Sequence, residues 1–316
     1  MVPTARLVRT LATVVAAALT LPGLVHAQSG SPFREMRFRS IGPAVMGGRI
    51  HDVTALANDP SMVIIATATG GLWRSANHGT TWTPIFDDQS HGTFGVITLA
   101  PSDPNIIWAG TGEQNNRQSS SWGDGVYRST DGGKSWTHIG LEESRAIGRI
   151  VVDSRDPNTA YVAALGNLWA PSRMRGVFKT TDAGSTWQQV LQIDTLTGVV
   201  DMAMDPRDPR TLYAAAYQRL RQACCFNGGG PGSGVYKSTD AGATWRKLTD
   251  GLPPGDIGRI GLAIGSTTAG LIYATIEHAS AGGFYRSTDG GEHWSHMSTL
   301  NERPSYYSSI YADPTD

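Results

Sequence analysis

Five carboxylates stand where acid chemistry is possible: Glu113, Glu277, Asp52, Asp124 and Asp201. Hydrolysis of a sugar chain needs two such groups roughly 5 to 9.5 Å apart, one to protonate the leaving oxygen and one to attack or to activate water. Glu113 and Glu277 each follow an apolar run and are the first candidates for a catalytic pair, although sequence spacing sets no distance between them. A second set suits recognition instead. Arg117, Trp122, Trp169, Gln218 and Arg219 sit in long polar stretches beside Arg173, Arg175 and Arg221, and aromatic faces next to planar guanidinium groups fit sugars, carboxylates or peptide termini. The same side chains could equally pin long loops onto their neighbours. A third set, Asp52, Arg149, Asp201 and Arg259, falls at matching places when the apolar runs are aligned on their Asp-Pro turns. Alternating charges at equivalent positions read either as ion pairs between repeat units or as a polar pocket where the units converge.

Other chemistries lack their residues. None of the eight histidines forms a His-x-x-x-His pair on a helix, and His78 and His293 lie inside a turn motif, so no metal site is expected. QSSSWG lacks the Gly-x-Ser-x-Gly elbow of serine hydrolases. No phosphate-cradling loop is present and no cofactor is expected. The only cysteines, Cys224 and Cys225, are adjacent, and they read as incidental loop thiols or as a strained vicinal disulfide, never as a covalent framework.

The elements that must position these groups come from a repeat. GLWRSANHGTTW begins at Gly71, GVYRSTDGGKSW at Gly125, GVFKTTDAGSTW at Gly176, GVYKSTDAGATW at Gly234 and GFYRSTDGGEHW at Gly283, at spacings of 54, 51, 58 and 49 residues. Alternating apolar residues enter each unit as a strand; Asp131, Asp182, Asp240 and Asp289 can accept hydrogen bonds from turn amides. Gly133, Gly184, Gly242 and Gly291 supply positive φ, and Trp82, Trp136, Trp187, Trp245 and Trp294 open the return strand and bury a large ring. Each copy is preceded by two apolar runs flanking a turn, as in VITLAPSDPNIIWAGTG, although the last, GLAIGSTTAGLIYATI, lacks the Asp-Pro. Four short antiparallel strands every 50 or so residues predict an all-β propeller of four-stranded blades. Five blades are expected, with Ser308 to Ala312 as the first strand of a sixth within 308–316, and Phe33 to Ile41 as an outer closing strand.

The N-terminus places Arg6 and Arg9 before an apolar run from Leu11 to Val25 and a small-residue cleavage site at Ala27, so 1–27 reads as a signal peptide and 28–316 as the exported propeller. No later stretch approaches the roughly 18 apolar residues of a membrane span. Cleavage leaves 24 basic against 27 acidic residues, which argues against nucleic acid as a partner.

The Ser-x-Asp-x-Gly-x-Thr-Trp elements at 75–82, 129–136, 180–187, 238–245 and 287–294 resemble the Asp-box, or bacterial neuraminidase repeat, of sialidases, xyloglucanase-type glycoside hydrolases and sortilin-type propellers. SIGPAVMGGRI, WAGTGEQNNRQSSSWGDGVY, AIGRIVVD and YQRLR further resemble large exported bacterial proteins labelled sortilin-like or glycosyl hydrolase. That resemblance implies that the chain is part of a longer polypeptide with more blades. Two departures bear on activity. Xyloglucanase-type propellers place a catalytic Asp near the end of the first blade's second strand, where this chain has ATATGG with Thr69; the sialidase start is echoed only by FRSIGP. The resulting expectation is a recognition scaffold in the periplasm, on the cell surface or outside the cell, binding a peptide, protein or carbohydrate through Glu113–Asp124, Asn167–Arg175, Gln218–Ser233 and Glu277–Gly282. The alternative is a glycoside hydrolase using a carboxylate pair.

Overall fold

A computed structural model describes residues 49–56 and 59–313; the expected signal peptide and the segment from Phe33 to Ile41 lie outside them. The described chain is all-β, in five antiparallel blades of the propeller kind. Blade 1 comprises β1 (Ile50–Leu56), β2 (Asp59–Thr67), β3 (Leu72–Ser75) and β4 (Thr83–Pro84). Blade 2 comprises β5 (Phe94–Ala100), β6 (Asp103–Thr111), β7 (Val126–Ser129) and β8 (Thr137–His138). Blade 3 holds β9 (Ile147–Val152), β10 (Ala160–Ala164), β11 (Gly176–Thr180) and β12 (Gln188–Leu191). Blade 4 holds β13 (Thr197–Met204), β14 (Leu212–Arg221), β16 (Gly234–Ser238) and β17 (Arg246–Leu248), and a fifth strand, β15 (Phe226–Gly228), folds back on the end of β14. Blade 5 holds β18 (Ile260–Ile264), β19 (Ile272–Ile276), β20 (Gly283–Ser287) and β21 (Ser295–Ser298). Strands follow sequence order within each blade, and the inner strands β1, β5, β9, β13 and β18 stand side by side.

The repeat's polar residues are spent on its turns. In blade 2, Ser129 Oγ donates to Asp131 Oδ1 at 2.8 Å and accepts the Gly133 amide at 2.8 Å, while the Ser135 amide and hydroxyl donate to Asp131 at 2.9 and 2.6 Å. The same bonds recur around Asp182 and Asp240, and those hydrogen bonds hold both carboxyls down at about 2. Gly133 sits at φ 87°, a conformation that suits glycine. In every blade an amide of this turn donates to a carbonyl of the other hairpin turn: His78 to Ser61, Gly132 to Asn105, Ala183 to Asn158, Ala241 to Arg210 and Gly290 to Gly270, at 2.9–3.0 Å. Both turns therefore share one face, and the long connections occupy the opposite one.

Blades are joined by apolar packing and by the repeat tryptophans, although not uniformly as expected. Trp136 Nε1 donates to Ile85 O of blade 1 and Trp187 Nε1 to Ile139 O of blade 2, each at 2.7 Å, so each ring leans on the preceding blade and is half-buried. Trp294 is 1% exposed, packed in the same core as Leu248 and Leu252 of blade 4. Trp82 departs from the expected burial at 36% exposed, because among the described residues no blade precedes its own. Past β21 the chain makes a single helical turn, α1 (Pro304–Tyr307), and 308–313 is not a strand as expected, since no described strand pairs with it. It nevertheless runs against β18, with the Ser308 carbonyl 2.3 Å from where a Cβ on Gly261 would lie.

Candidate functional site

Near the convergence of the inner strands, three of the four matched charges meet. Arg149 Nε lies 2.7 Å from Asp201 Oδ1, and its Nη1 lies 3.9 Å from Asp52 Oδ1, so one guanidinium of blade 3 serves carboxylates of blades 4 and 1. Asp52 and Asp201 are buried and also bind the next blade's backbone: Asp52 accepts the Ile97 amide at 3.0 Å and Asp201 the Leu262 amide at 2.9 Å. Burial pushes the Asp52 carboxyl up against the opposing pull of Arg149, while Asp201 above all keeps Arg149 protonated. Arg259 makes no ion pair with these three and lies off their register, although the charges of Asp201 and Arg149 act on it. Asp52, Arg149 and Asp201 pair with Ala66, Ala163 and Ala215, whose opposite neighbours are the first apolar residues of the repeat, and in blade 5 that register falls on Gly261 opposite Thr275 and Phe284. Blade 5 lacks the Asp-Pro turn, and β18 lacks the one-residue bulge present in the other four inner strands, so aligning by count misplaces the arginine by two residues.

On the loop face, Glu113 lies at the bottom of an arginine cluster. Its side chain has no exposure; it accepts Arg49 Nη2 at 2.8 Å, and His51 and Arg117 approach at 3.8 and 3.9 Å. Burial pushes this carboxyl up, with the Arg49 charge opposing. Beside it, Arg219 is 1% exposed and donates to Gln114 O at 2.9 Å and Asn116 Oδ1 at 3.1 Å. Arg175, fully buried, donates to Asn167 O. Arg259, 2% exposed, reaches Gln114 Oε1 at 3.5 Å. Among the described residues none of these three buried arginines has a carboxylate within ion-pair distance, and burial lowers Arg219 to about 9 and Arg175 to about 10. Such positive charge in a low-dielectric floor costs free energy unless something offsets it.

Beneath Arg49, His51 is held neutral. Its Nδ1 donates to Phe94 O at 2.7 Å, and burial lowers its pKa to about 4, the charges of Arg49 and Arg259 adding to the effect. The unfolded chain therefore binds a proton at His51 that the folded chain refuses between about pH 6.5 and pH 4. That contribution to stability is complete above the upper limit and lost as pH falls through the window. Glu113, whose carboxyl burial pushes up, acts in the opposite sense, because the folded chain takes up its proton at a higher pH than the unfolded chain does. We expect urea denaturation to show wild-type stability falling more steeply than that of His51→Gln from pH 6.5 to 4.5; parallel profiles would contradict it.

The second carboxylate site lies beside blade 5. Glu277 Oε2 accepts the Arg259 amide at 2.8 Å, and burial pushes this carboxyl up while that amide and the Arg259 charge oppose it. Glu277 and the exposed Asp256 border one cavity of about 430 Å³, together with Asn227, His278 and Pro304. Asp256 was not legible as a candidate, because it comes from the connection between blades 4 and 5 with no motif around it. Glu113 lies outside that cavity. Of the other candidates, Trp122 is 50% exposed beneath the Arg145 guanidinium, Trp169 is 42% exposed, and Gln218 accepts the Gly232 amide within its own loop. Asp124 is committed to Tyr127 at 2.7 Å and His91 at 2.9 Å. Thr69 is exposed. Cys224 and Cys225 are bonded to each other. Among the described residues there is no cluster of three or more metal-ligating side chains, and no helix is long and apolar enough to cross a membrane.

Known proteins with related sequences agree with this architecture. The family model described as sortilin, neurotensin receptor 3, matches residues 124–255. A xyloglucanase of Paenibacillus sp. is 27% identical over 76% of this chain and 20% of its own length. The xyloglucanase Xgh74A of Acetivibrio thermocellus is 23% identical over 66% of this chain and 27% of its own. The chain thus spans a fifth to about a quarter of these relatives' length. Among solved structures, an ancestral GH74 enzyme superposes with a TM-score of 0.64 at 22% identity, over 85% of this chain and 33% of the other. The GH74 enzyme of Niastella koreensis follows at 0.62 and 21%, over 84% and 42%. At these identities the structural likeness is one of fold.

Proposed function

We propose that this chain supplies part of the glycan-binding face of an exported protein that hydrolyses a polysaccharide. The observation that carries the reading is the cavity bordered by Glu277 and Asp256, where one carboxyl is pushed towards its protonated form by burial and the other is exposed. Two carboxylates in unlike environments are what glycoside cleavage uses. Glu277 would give its proton to the glycosidic oxygen as the carbon–oxygen bond breaks, and Asp256 would attack the sugar carbon or take a proton from the attacking water. The similarity to xyloglucanases over more than half of this chain supports a sugar chain as the ligand. Thr69, standing where those enzymes are expected to carry an acid, is why a different pair is assigned here.

The test is release of reducing ends from xyloglucan and a panel of other polysaccharides by the full-length protein. Glu277→Gln is expected to lower the rate at least about a hundredfold with thermal stability unchanged, the lower end of the usual range for removing a general acid. Undiminished hydrolysis by that variant would sink the assignment. Saturable glycan or peptide binding with no hydrolysis of any substrate would favour the second reading, a recognition propeller without catalysis, for which the exposed Thr69 speaks.

A further inference from the structure

A separate cavity of about 580 Å³ opens among loops of blades 2 and 4 and the end of the described chain, within the size range of small-ligand sites. Its walls include Arg49, Arg117, Arg221 and Arg303, with Asn116 and Tyr306. Arg219 lies directly below, bonded to Asn116 Oδ1 at 3.1 Å. Two of these guanidinium groups, Arg49 and Arg117, lie 2.8 and 3.9 Å from Glu113, which Arg49 already engages. The guanidinium of Arg221 stacks 4.7 Å over Phe226 and makes no hydrogen bond or ion pair among the described residues; its Nε is buried without an acceptor, as is that of the fully buried Arg219. Stacking holds the Arg221 fork in place without using its donors.

We propose that this cavity binds the carboxylates of an acidic glycan, a chain containing uronic acid residues, as a subsite separate from the Glu277 cavity. The inference rests on the glycan reading above. Guanidinium forks match carboxylate geometry and bond it in pairs, and an anion placed here would offset the buried charge of Arg219. The remaining walls favour a sugar over a peptide terminus. The exposed amide of Gln118 and hydroxyl of Ser119 suit sugar hydroxyls, and Tyr306 is the one aromatic in the lining. A peptide's last side chain would call for an apolar pocket, which these walls do not provide.

Calorimetric titration of the full-length protein with trigalacturonate, its fully methyl-esterified form and a neutral xyloglucan heptasaccharide tests this. Saturable binding of the acid is expected, at least tenfold weaker for the ester and at least tenfold weaker for Arg117→Ala combined with Arg221→Ala. Arg246→Ala, which removes an exposed arginine on β17, should leave the affinity unchanged. Equal binding of acid and ester, no binding of the acid, or a double variant that binds as wild type would overturn the inference. So would tighter binding of a peptide with a free C-terminus. Glu277-dependent cleavage of neutral glucan without galacturonate binding would defeat this inference alone and leave the hydrolase reading standing.

Discussion

Arg149→Met should cost about 3–5 kcal/mol of folding stability, the range for breaking a buried ion pair from one side. Methionine fills similar volume but leaves Asp201, 5% exposed, and Asp52, 6% exposed, without the cation that faces both. Each aspartate keeps its backbone partners, the Met202 and Leu262 amides for Asp201 and the Val53 and Ile97 amides for Asp52. Those four bonds hold the carboxylates in place, so neither can swing out to water without unlatching an inner strand. The loss should therefore appear as a lower urea midpoint at unchanged slope. It should shrink at acidic pH, where protonation of Asp52, already eased by burial, removes one of the stranded charges. Arg149→Lys should recover part of the loss, since it keeps the charge but not the Nε fork. A cost of less than about 1 kcal/mol for Arg149→Met would mean that water screens the triad as it does a surface pair.

Architecture was legible because the repeat turn is written in nearly the same residues in all five described blades, blade 1 differing at the acid by carrying Asn77. A hydroxyl, an aspartate and a glycine at fixed offsets suffice to close the turn by local hydrogen bonds, as at Ser238, Asp240 and Gly242, where all the partners lie within six residues. The loop-face sites have no such local code. Arg49, Arg117, Arg221 and Arg303 come from four places in the chain and are neighbours only because the blades bring their loops together. Glu113 drew attention as a candidate acid, yet its side chain is closed off by Arg49, a residue that precedes the first strand. Asp52, Arg149 and Asp201 could be matched by counting because blades 1, 3 and 4 share a turn and a bulge; Arg259 could not, since blade 5 has neither.

The division of faces follows from the same accounting of polar groups. Repeat carboxylates such as Asp131 and Asp240 are fully bonded within their turns, so the face that carries the signature has its acids already committed. On the opposite face Glu277 has one oxygen fixed by the Arg259 amide, while the buried arginines are satisfied only by carbonyl and amide oxygens. Unspent donors and a partly spent carboxyl are the groups a ligand can use.

Gly148→Ala should destabilise the protein by about 3 kcal/mol, the upper end of what overpacking ordinarily costs. A Cβ at Gly148 would lie 2.3 Å from Val200 O and 2.8 Å from Val200 C, both backbone atoms of the next inner strand. A side chain in the way could rotate; a carbonyl in a paired strand cannot, so β9 and β13 would have to part. Backbone conformation is not the cause, because Gly148 is absent from the positive-φ glycines. The same close approach occurs one blade earlier, where a Cβ at Gly95 would meet Ile147 O at 2.0 Å, so glycine in the bulge of β5 and of β9 is what lets successive blades pack at this distance. Gly92→Ala is the matched control: its Cβ would find only Gly71 N at 3.7 Å, an ordinary contact, and the substitution should be close to neutral. Thermal unfolding of the two variants separates them, with Gly148→Ala lowering Tm by about 6 °C or more at the usual 2–4 °C per kcal/mol for large domains. Equal midpoints for the two alanine variants would show that the blades can move apart at no cost, and the close approach of neighbouring inner strands would lose its physical basis.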